Sequence, residues 1–447
     1  MALTPAEASR LASASAHGVL TSARRVAGHL PGNSWLGARN RYRVSTIAIL
    51  EADDKGHTVQ QRQLAEYIAS SAPLHCCDAW SYLGRAIGCH LHGDPNAARH
   101  LAYYAELRAA IALLATQGIG IFNDRHFVID QNAAVTRLCT KKGTHRATWE
   151  VLEAWASLPQ ASTALGNVLL PGGRPMSDWI ASLPGGASWQ PLATDWLLTM
   201  GLDLRFLSDD RDARNEASYR PMYLRQLTSL PSPEAASVAE EMWHLLEPAP
   251  PLSFDRLDRH LLRLSLEGAV RSTRGPRTLR NAPQFARLVE AAVRACVDSG
   301  SQAGLWTSFL LRSDEPDDPR TLSLAREVRQ VWEPDHHVAV MARALLLLRV
   351  ASGATRQLLA DSGIGFDRLA FWWGPYGEGR GLWDETPAAT ELTNGWADFE
   401  AVLQDIRAWL DGSATSDLSY RRLLTEVPRS MTTLTNMELV GLWSLAS

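Results

Sequence analysis

Between Asp94 and Gly118 the chain carries two interleaved stripes at helical spacing, and this segment limits the possible folds more than any other. Asp94-Pro95 supplies an N-cap and a first-turn proline, and Gly118 supplies the stop. On one face His100, Tyr103, Tyr104, Leu107, Ile111 and Leu114 recur at steps of three and four. On another, Ala98, Ala102, Ala105, Ala109 and Ala112 let a neighbouring helix approach closely. A helix of this kind needs helical partners, so the chain reads as mainly α, a multi-helix bundle.

The remaining pattern agrees. Thr4-Pro5-Ala6-Glu7 predicts a capped short helix, and residues 58–70 and 78–92 continue the helical period as two segments. After Gly118 the period becomes alternating: Ile119-Gly120-Ile121-Phe122, the turn Asn123-Asp124 and His126-Phe127-Val128-Ile129 predict one small β-hairpin over about residues 119–130. Thr144 is placed to cap a helix through Trp149, Leu152 and Trp155, after which Pro171-Gly172-Gly173 and Pro184-Gly185-Gly186 punctuate a loop-rich stretch. Pro248, Pro250 and Pro251 mark a boundary, because proline cannot continue the preceding helix. It divides a helical region with the hairpin, residues 1–247, from a second helical, Trp-rich half, residues 252–447, with helices near 253–269, 282–298 and 336–352. The acidic segment 313–319 reads as an exposed loop and 372–383 as irregular.

Composition sharpens a few points. Only Lys55, Lys141 and Lys142 are lysines, leaving 41 arginines among 44 basic residues, and arginine forks bind carboxylate and phosphate bidentately. The formal charge of -4 excludes a globally basic nucleic-acid coat while leaving room for a local basic cleft. Of the 16 tryptophans, those at 155, 179, 189, 196, 372, 373 and 383 are expected to fill gaps between helices. Five cysteines, an odd number without a leader segment, suit a reducing cytosol better than a disulfide framework. The longest apolar run, Ala342 to Leu348, is interrupted by Arg343 and closed by Arg349, short of the roughly 20 residues that cross a bilayer, so no membrane partner is expected.

The densest polar cluster is Ser208 to Pro221. On a helix Asp210 faces Arg214 and Asn215 faces Tyr219, while Arg211, Arg214 and Ser218 line one side. Two uses are open to it: a satisfied network tying helices together, or a phosphate-facing surface.

The order Arg214-Asn215, a short spacer, then Tyr219 resembles the signature of the HEPN superfamily, in which Arg and a polar residue precede a His by four to six positions. With the Tyr-Tyr helix upstream, the resemblance to defence-associated, YaaC-type HEPN-like helices spans about residues 78–225. It implies a helical bundle, often dimeric, in a bacterial antiviral defence or stress-response system, with RNA or another nucleic acid as partner and a metal-independent ribonuclease as the possible activity. Carried onto this chain, Arg214 contacts phosphate, Asn215 orients it, Tyr219 replaces the usual His, and Arg211 and Arg220 neutralise charge. A Tyr of ordinary pKa near 10 is a poor base, so the match bears more on fold than on activity.

Other constellations are weaker. Arg85 and His90 lie about 140° apart on a continuous helix, whereas Arg329 and His336 could converge across Pro334. His75, Cys76, Cys77, Cys89, His90 and His92 have the wrong spacing for zinc, and His336-His337 after Asp335 reads as a helix start. No Walker loop, dinucleotide fingerprint, nucleophile elbow or His-Glu-x-x-His occurs, so neither cofactor nor metal is expected. The rival to the RNA-directed reading is a non-catalytic subunit whose Trp-rich half docks other proteins.

Overall fold

The structure is a computed structural model describing residues 3–138, 141–183, 193–219, 231–249, 253–274, 283–298, 300–412, 419–427 and 432–446. It is mainly α-helical with one small antiparallel sheet. The N-terminal elements are α1 (Pro5–Ala12), α2 (Ala16–Ala27), α3 (Thr46–Lys55), α4 (Gln61–Leu91), α5 (Pro95–Thr116), β1 (Ile119–Phe122), β2 (Arg125–Ile129) and β3 (Val135–Arg137). Then come α6 (Thr144–Ala156), α7 (Pro159–Val168), α8 (Met176–Ala181), α9 (Ala193–Met200), α10 (Phe206–Tyr219), α11 (Ser232–Leu245) and α12 (Asp255–Arg274). The remainder holds α13 (Pro283–Cys296), α14 (Gly300–Leu310), α15 (Arg320–Arg326), α16 (His336–Asp361), α17 (Ala370–Arg380), α18 (Trp396–Gly412), α19 (Tyr420–Glu426) and α20 (Glu438–Ala446).

Helix α5 is the axis. Asp94 caps it by accepting the Ala97 N–H at 3.0 Å, and its alanine stripe admits α4 and α16 on two sides. Burial is nearly complete along it, each large apolar side chain contributing about 1.5–3 kcal/mol. The predicted N-terminal cap forms as a reciprocal box: Thr4 Oγ1 accepts the Glu7 N–H at 3.3 Å, and Glu7 Oε2 accepts the Thr4 N–H at 2.7 Å.

The two helical segments expected at 58–70 and 78–92 are one helix, α4, running straight through the buried Pro73. A proline inside a helix removes a hydrogen bond at a cost of about 3 kcal/mol. Packing against α5 over the length of α4 outweighs it. Likewise α17 is helical around Pro375 where irregular chain was expected, because Trp373 packs under it and donates to the Phe366 carbonyl at 3.1 Å. The hairpin pairs Phe122 with Arg125 across Asn123-Asp124, and Asn123 takes a φ of 43°. It gains a third strand the sequence did not announce, with Ile129 opposite Val135.

Helix α16 is long and apolar enough to cross a membrane by composition, yet its apolar window is entirely buried. Its two arginines, which break the apolar run, make internal ion pairs: Arg343 with Asp210 of α10, and Arg349 with Asp258 of α12. Since α16 and α20 both pack on α4, the hydrophobic core is continuous from Leu11 to Leu445 and both sequence halves contribute to it. Pro250 and Pro251 of the expected boundary, Pro184-Gly185-Gly186 and Trp189 lie outside the described residues. Trp80, Trp155, Trp179, Trp243, Trp373 and Trp443 are fully buried gap-fillers.

Candidate anion-binding cleft

Tyr103 and Tyr104 are consecutive on α5, so they diverge by about 100° and offer two ring faces to whatever packs beside the helix. Arg214 of α10 fills that position, its Cζ 5.2 Å from the Tyr103 centroid and 5.4 Å from that of Tyr104. Cation–π contact of this kind holds a guanidinium without neutralising it. From the third side comes His145, at the start of α6, stacked on Tyr103 with centroids 5.7 Å apart and planes 12° apart. Tyr103 Oη and an Arg214 Nη–H both reach His145 Nδ1, at 2.9 and 3.4 Å. A guanidinium only donates, so Nδ1 is the acceptor and the imidazole proton resides on Nε2. Burial first, then the Arg214 and Arg211 charges, push the His145 pKa below its ordinary value, so the ring is neutral at pH 7.

This cluster borders a cleft of about 660 Å³. One wall is apolar and aromatic, from Ile47, Tyr67, Leu107, Ile111, Ile121 and Phe122. The lining also holds Arg108, Arg146, Arg211, His75 and His145, with the first residues of α6. Arg108 donates to His75 Nδ1 at 2.8 Å, and burial together with Arg108 pushes His75 down to about 3. Among the described residues no carboxylate lines the cleft. Helix α6 begins after Gly143, which has no side chain to cap it, so first-turn N–H groups and the positive end of the helix dipole face the same space.

Arg214 shares one electrostatic feature with Arg99. Of the other deeply buried arginines, Arg263, Arg312, Arg343 and Arg349 each meet a carboxylate within 2.9 Å, whereas Arg99 donates to His336, Asn96 and the Val331 carbonyl instead. For Arg214, itself 7% exposed, the described residues supply no ion pair, and its Nε has no hydrogen-bond partner. The arginines on the cleft have carboxylate partners outside its lining: Arg211 donates twice to the exposed Asp212, at 3.0 and 2.8 Å, Arg146 donates to Glu150 at 3.3 Å, and Arg108 lies 4.0 Å from Asp78.

The residues singled out from the sequence are brought together only in part. Arg211 and Arg214 belong to the cluster, but Asp210 does not face Arg214; it turns into the core to Arg343. Asn215 is half-buried and does not line the cleft. Tyr219 is 79% exposed, because five residues along a helix rotate a side chain by about 140°, so it does not stand in for a histidine beside Arg214. Arg220 lies outside the described residues. Of the other pairs, His90 is bonded to His337 and Arg85 to Ser81, whereas His336 accepts from Arg99 and Arg329 pairs with Asp335, so neither Arg–His pair converges.

Sequence reasoning missed His145, Arg108 and the role of the Tyr-Tyr step. Thr144, expected as the cap, is the first helical residue; the legible signal was Gly143, a helix start with no capping side chain. His100, on the same face of α5 as Tyr103 and Tyr104, has Nδ1 2.7 Å from the Ser218 hydroxyl oxygen, which itself donates to the Arg214 carbonyl, and so ties α5 to α10 beside Arg214. Compared with family models, curated proteins and solved structures, the chain matches none.

Proposed function

We propose that this cleft receives a phosphate of single-stranded RNA and that the protein is an RNA-directed, HEPN-like component of a bacterial antiviral defence or stress-response system. The observation that carries the reading is the carboxylate-free grouping of Arg108, Arg146, Arg211 and His145 in a chain with more acidic than basic residues. Guanidinium forks, an Nε2–H and an uncapped helix start are all donors suited to a phosphate. Tyr67 and Phe122, which line the same cleft, suit a base, since stacking on an aromatic ring contributes about 1–3 kcal/mol per base.

Recognition is favoured over cleavage. Attack by a ribose 2′-oxygen needs a proton acceptor, and the acceptor nitrogens of both cleft histidines are already taken by arginine. His145 therefore replaces Tyr219 as the histidine beside Arg214, but as a donor. Total RNA incubated with the protein in EDTA is expected to stay intact; cutting that disappears in His145→Ala would support the ribonuclease reading instead.

Fluorescence anisotropy with a labelled single-stranded RNA tests the proposal. Arg211→Ala and Arg108→Ala should each weaken binding about tenfold, the loss of one charge-assisted contact, with melting temperature unchanged. Equal affinity in both variants would remove the cleft from consideration. The pH dependence follows from the same geometry. Because His145 Nδ1 already accepts from Arg214, the ring meets phosphate as a neutral Nε2–H donor, so affinity should stay flat as pH falls from about 7.5 to about 6; a rise that vanishes in His145→Gln would show that the ring takes up a proton on binding.

A further inference from the structure

A second cleft, about 910 Å³, has the opposite chemistry. It opens where the α1–α2 junction, the end of α5, the β2–β3 turn, α7 and the end of α16 meet. Although the chain holds 41 arginines, among the described residues neither arginine nor lysine lines it, and His17 is the one basic side chain there. Six carboxamides do: Gln117, Gln131, Asn132, Gln160, Asn167 and Gln357. Asp130 and Asp361 add negative charge, and Leu20, Val168, Ala354 and Leu358 supply an apolar floor.

The walls are fixed. Ser15 donates its N–H to the Ile129 carbonyl at 2.9 Å, which locks the start of α2 to β2. Gly18 approaches the β2–β3 turn so closely that a Cβ there would lie 2.0 Å from the Asp130 carbonyl oxygen. Asp130 Oδ1 is held by the Asn132 and Ala134 N–H groups at 2.8 and 3.0 Å, which pins the turn. By contrast, the side chains of Gln131, Gln160 and Gln357 engage no partner among the described residues, so their donors and acceptors are presented to the cleft.

We propose that this second cleft binds an uncharged polyhydroxylated ligand, a glycoside or a nucleoside. Each carboxamide offers an acceptor oxygen and two donor hydrogens, the complement of a hydroxyl that both gives and takes. The floor suits the C–H face of a sugar ring, and the volume lies in the range of small-molecule sites. Anions are disfavoured by Asp130 and Asp361 with no guanidinium in the lining to offset them. The inference does not rest on the RNA-binding reading, because the two clefts share no lining residue.

Isothermal titration calorimetry of the full chain with maltose, adenosine, adenosine 5′-monophosphate and spermidine decides it. Maltose or adenosine should bind, and which one does distinguishes the glycoside from the nucleoside source. Gln357→Leu and Gln160→Leu, both at exposed positions, should weaken that binding at least about tenfold with melting temperature unchanged. Arg211→Ala should leave it intact, and adenosine 5′-monophosphate should not displace the bound neutral ligand. Binding of neither neutral probe, preference for spermidine, or indifference to the glutamine variants would each overturn the proposal.

Discussion

Lowering the pH from 7 to 5 should remove most of the folding free energy of this protein. Of the five buried histidines among the described residues, His90, His260, His336 and His337 are the four driven furthest from their ordinary pKa, none more than 4% exposed. Burial first, and neighbouring arginines or histidines after it, push His90 down to about 4, His260 and His336 to about 3, and His337 well below its ordinary value. Geometry gives the reason. His90 donates through Nε2 to the Ala235 carbonyl at 3.0 Å, leaving Nδ1 to accept from His337 Nε2 at 2.8 Å. His336 Nδ1 accepts from Arg99 at 3.1 Å, and His260 Nδ1 from Arg263 at 3.1 Å. No proton can be added at those nitrogens without breaking a buried contact.

The native pKa values are depressed, so the unfolded chain binds protons first. Stability is therefore full above about pH 6.5 and falls as pH drops toward the folded values. At pH 5 each histidine sits about 1.5 units below its unfolded pKa, which removes about 2 kcal/mol, or about 8 kcal/mol for four, against a typical total of about 5–15 kcal/mol. Urea midpoints measured at about pH 7.5, 6.5 and 5.5 should decline steeply. Replacing His260 by Gln should flatten the decline by about one proton. A midpoint constant across that range would show that these rings are not neutral in the core.

The second large effect concerns Arg343. It donates to Asp210 twice, at 2.7 and 2.6 Å, with both residues at most 3% exposed, and Glu106 lies 3.8 Å away with no exposure at all. Burial, then the Asp210 charge, push Glu106 well above the usual carboxylate range, so one arginine serves one carboxylate and one neutral acid. Arg343→Met should cost about 3–5 kcal/mol, because it strands the Asp210 charge in the core. Glu106→Gln should cost little, since an amide resembles the protonated acid already there. Chemical denaturation reads both; a mild Arg343→Met or a severe Glu106→Gln would mean that the proton sits elsewhere in the trio.

Those two residues also show where sequence reading stops. The ends of α5, the capping box at Thr4 and the hairpin turn at Asn123-Asp124 were legible, because caps, periodicity and turn residues act within a few positions. The partner of Asp210 was not. Arg214 lies four residues away on the same helix, but Arg343 lies 133 residues along the chain and wins because the core brings the two together. Helix α4 was cut in two because Pro73 has a local penalty whose compensation is tertiary. The acidic 313–319 segment is the loop its composition predicts, exposed at Ser313, Asp314, Pro316 and Asp317, but Asp318 is drawn in by Arg263 and Arg312, both at 2.9 Å. The same limit divided the candidate site: Arg211 and Arg214 were found from their own helix, whereas His145 and Arg108 arrive from α6 and α5.

The salt dependence of RNA binding tests the cleft most directly, since it counts the phosphates that the protein neutralises. For a single strand the slope of log K against log salt is about -0.7 per neutralised phosphate. Arg211→Ala should make the slope shallower by about that amount relative to the unmodified chain, while Tyr219→Phe leaves it unchanged. An identical slope in Arg211→Ala, or RNA binding with no dependence on salt, would contradict a phosphate seated among Arg108, Arg211 and His145.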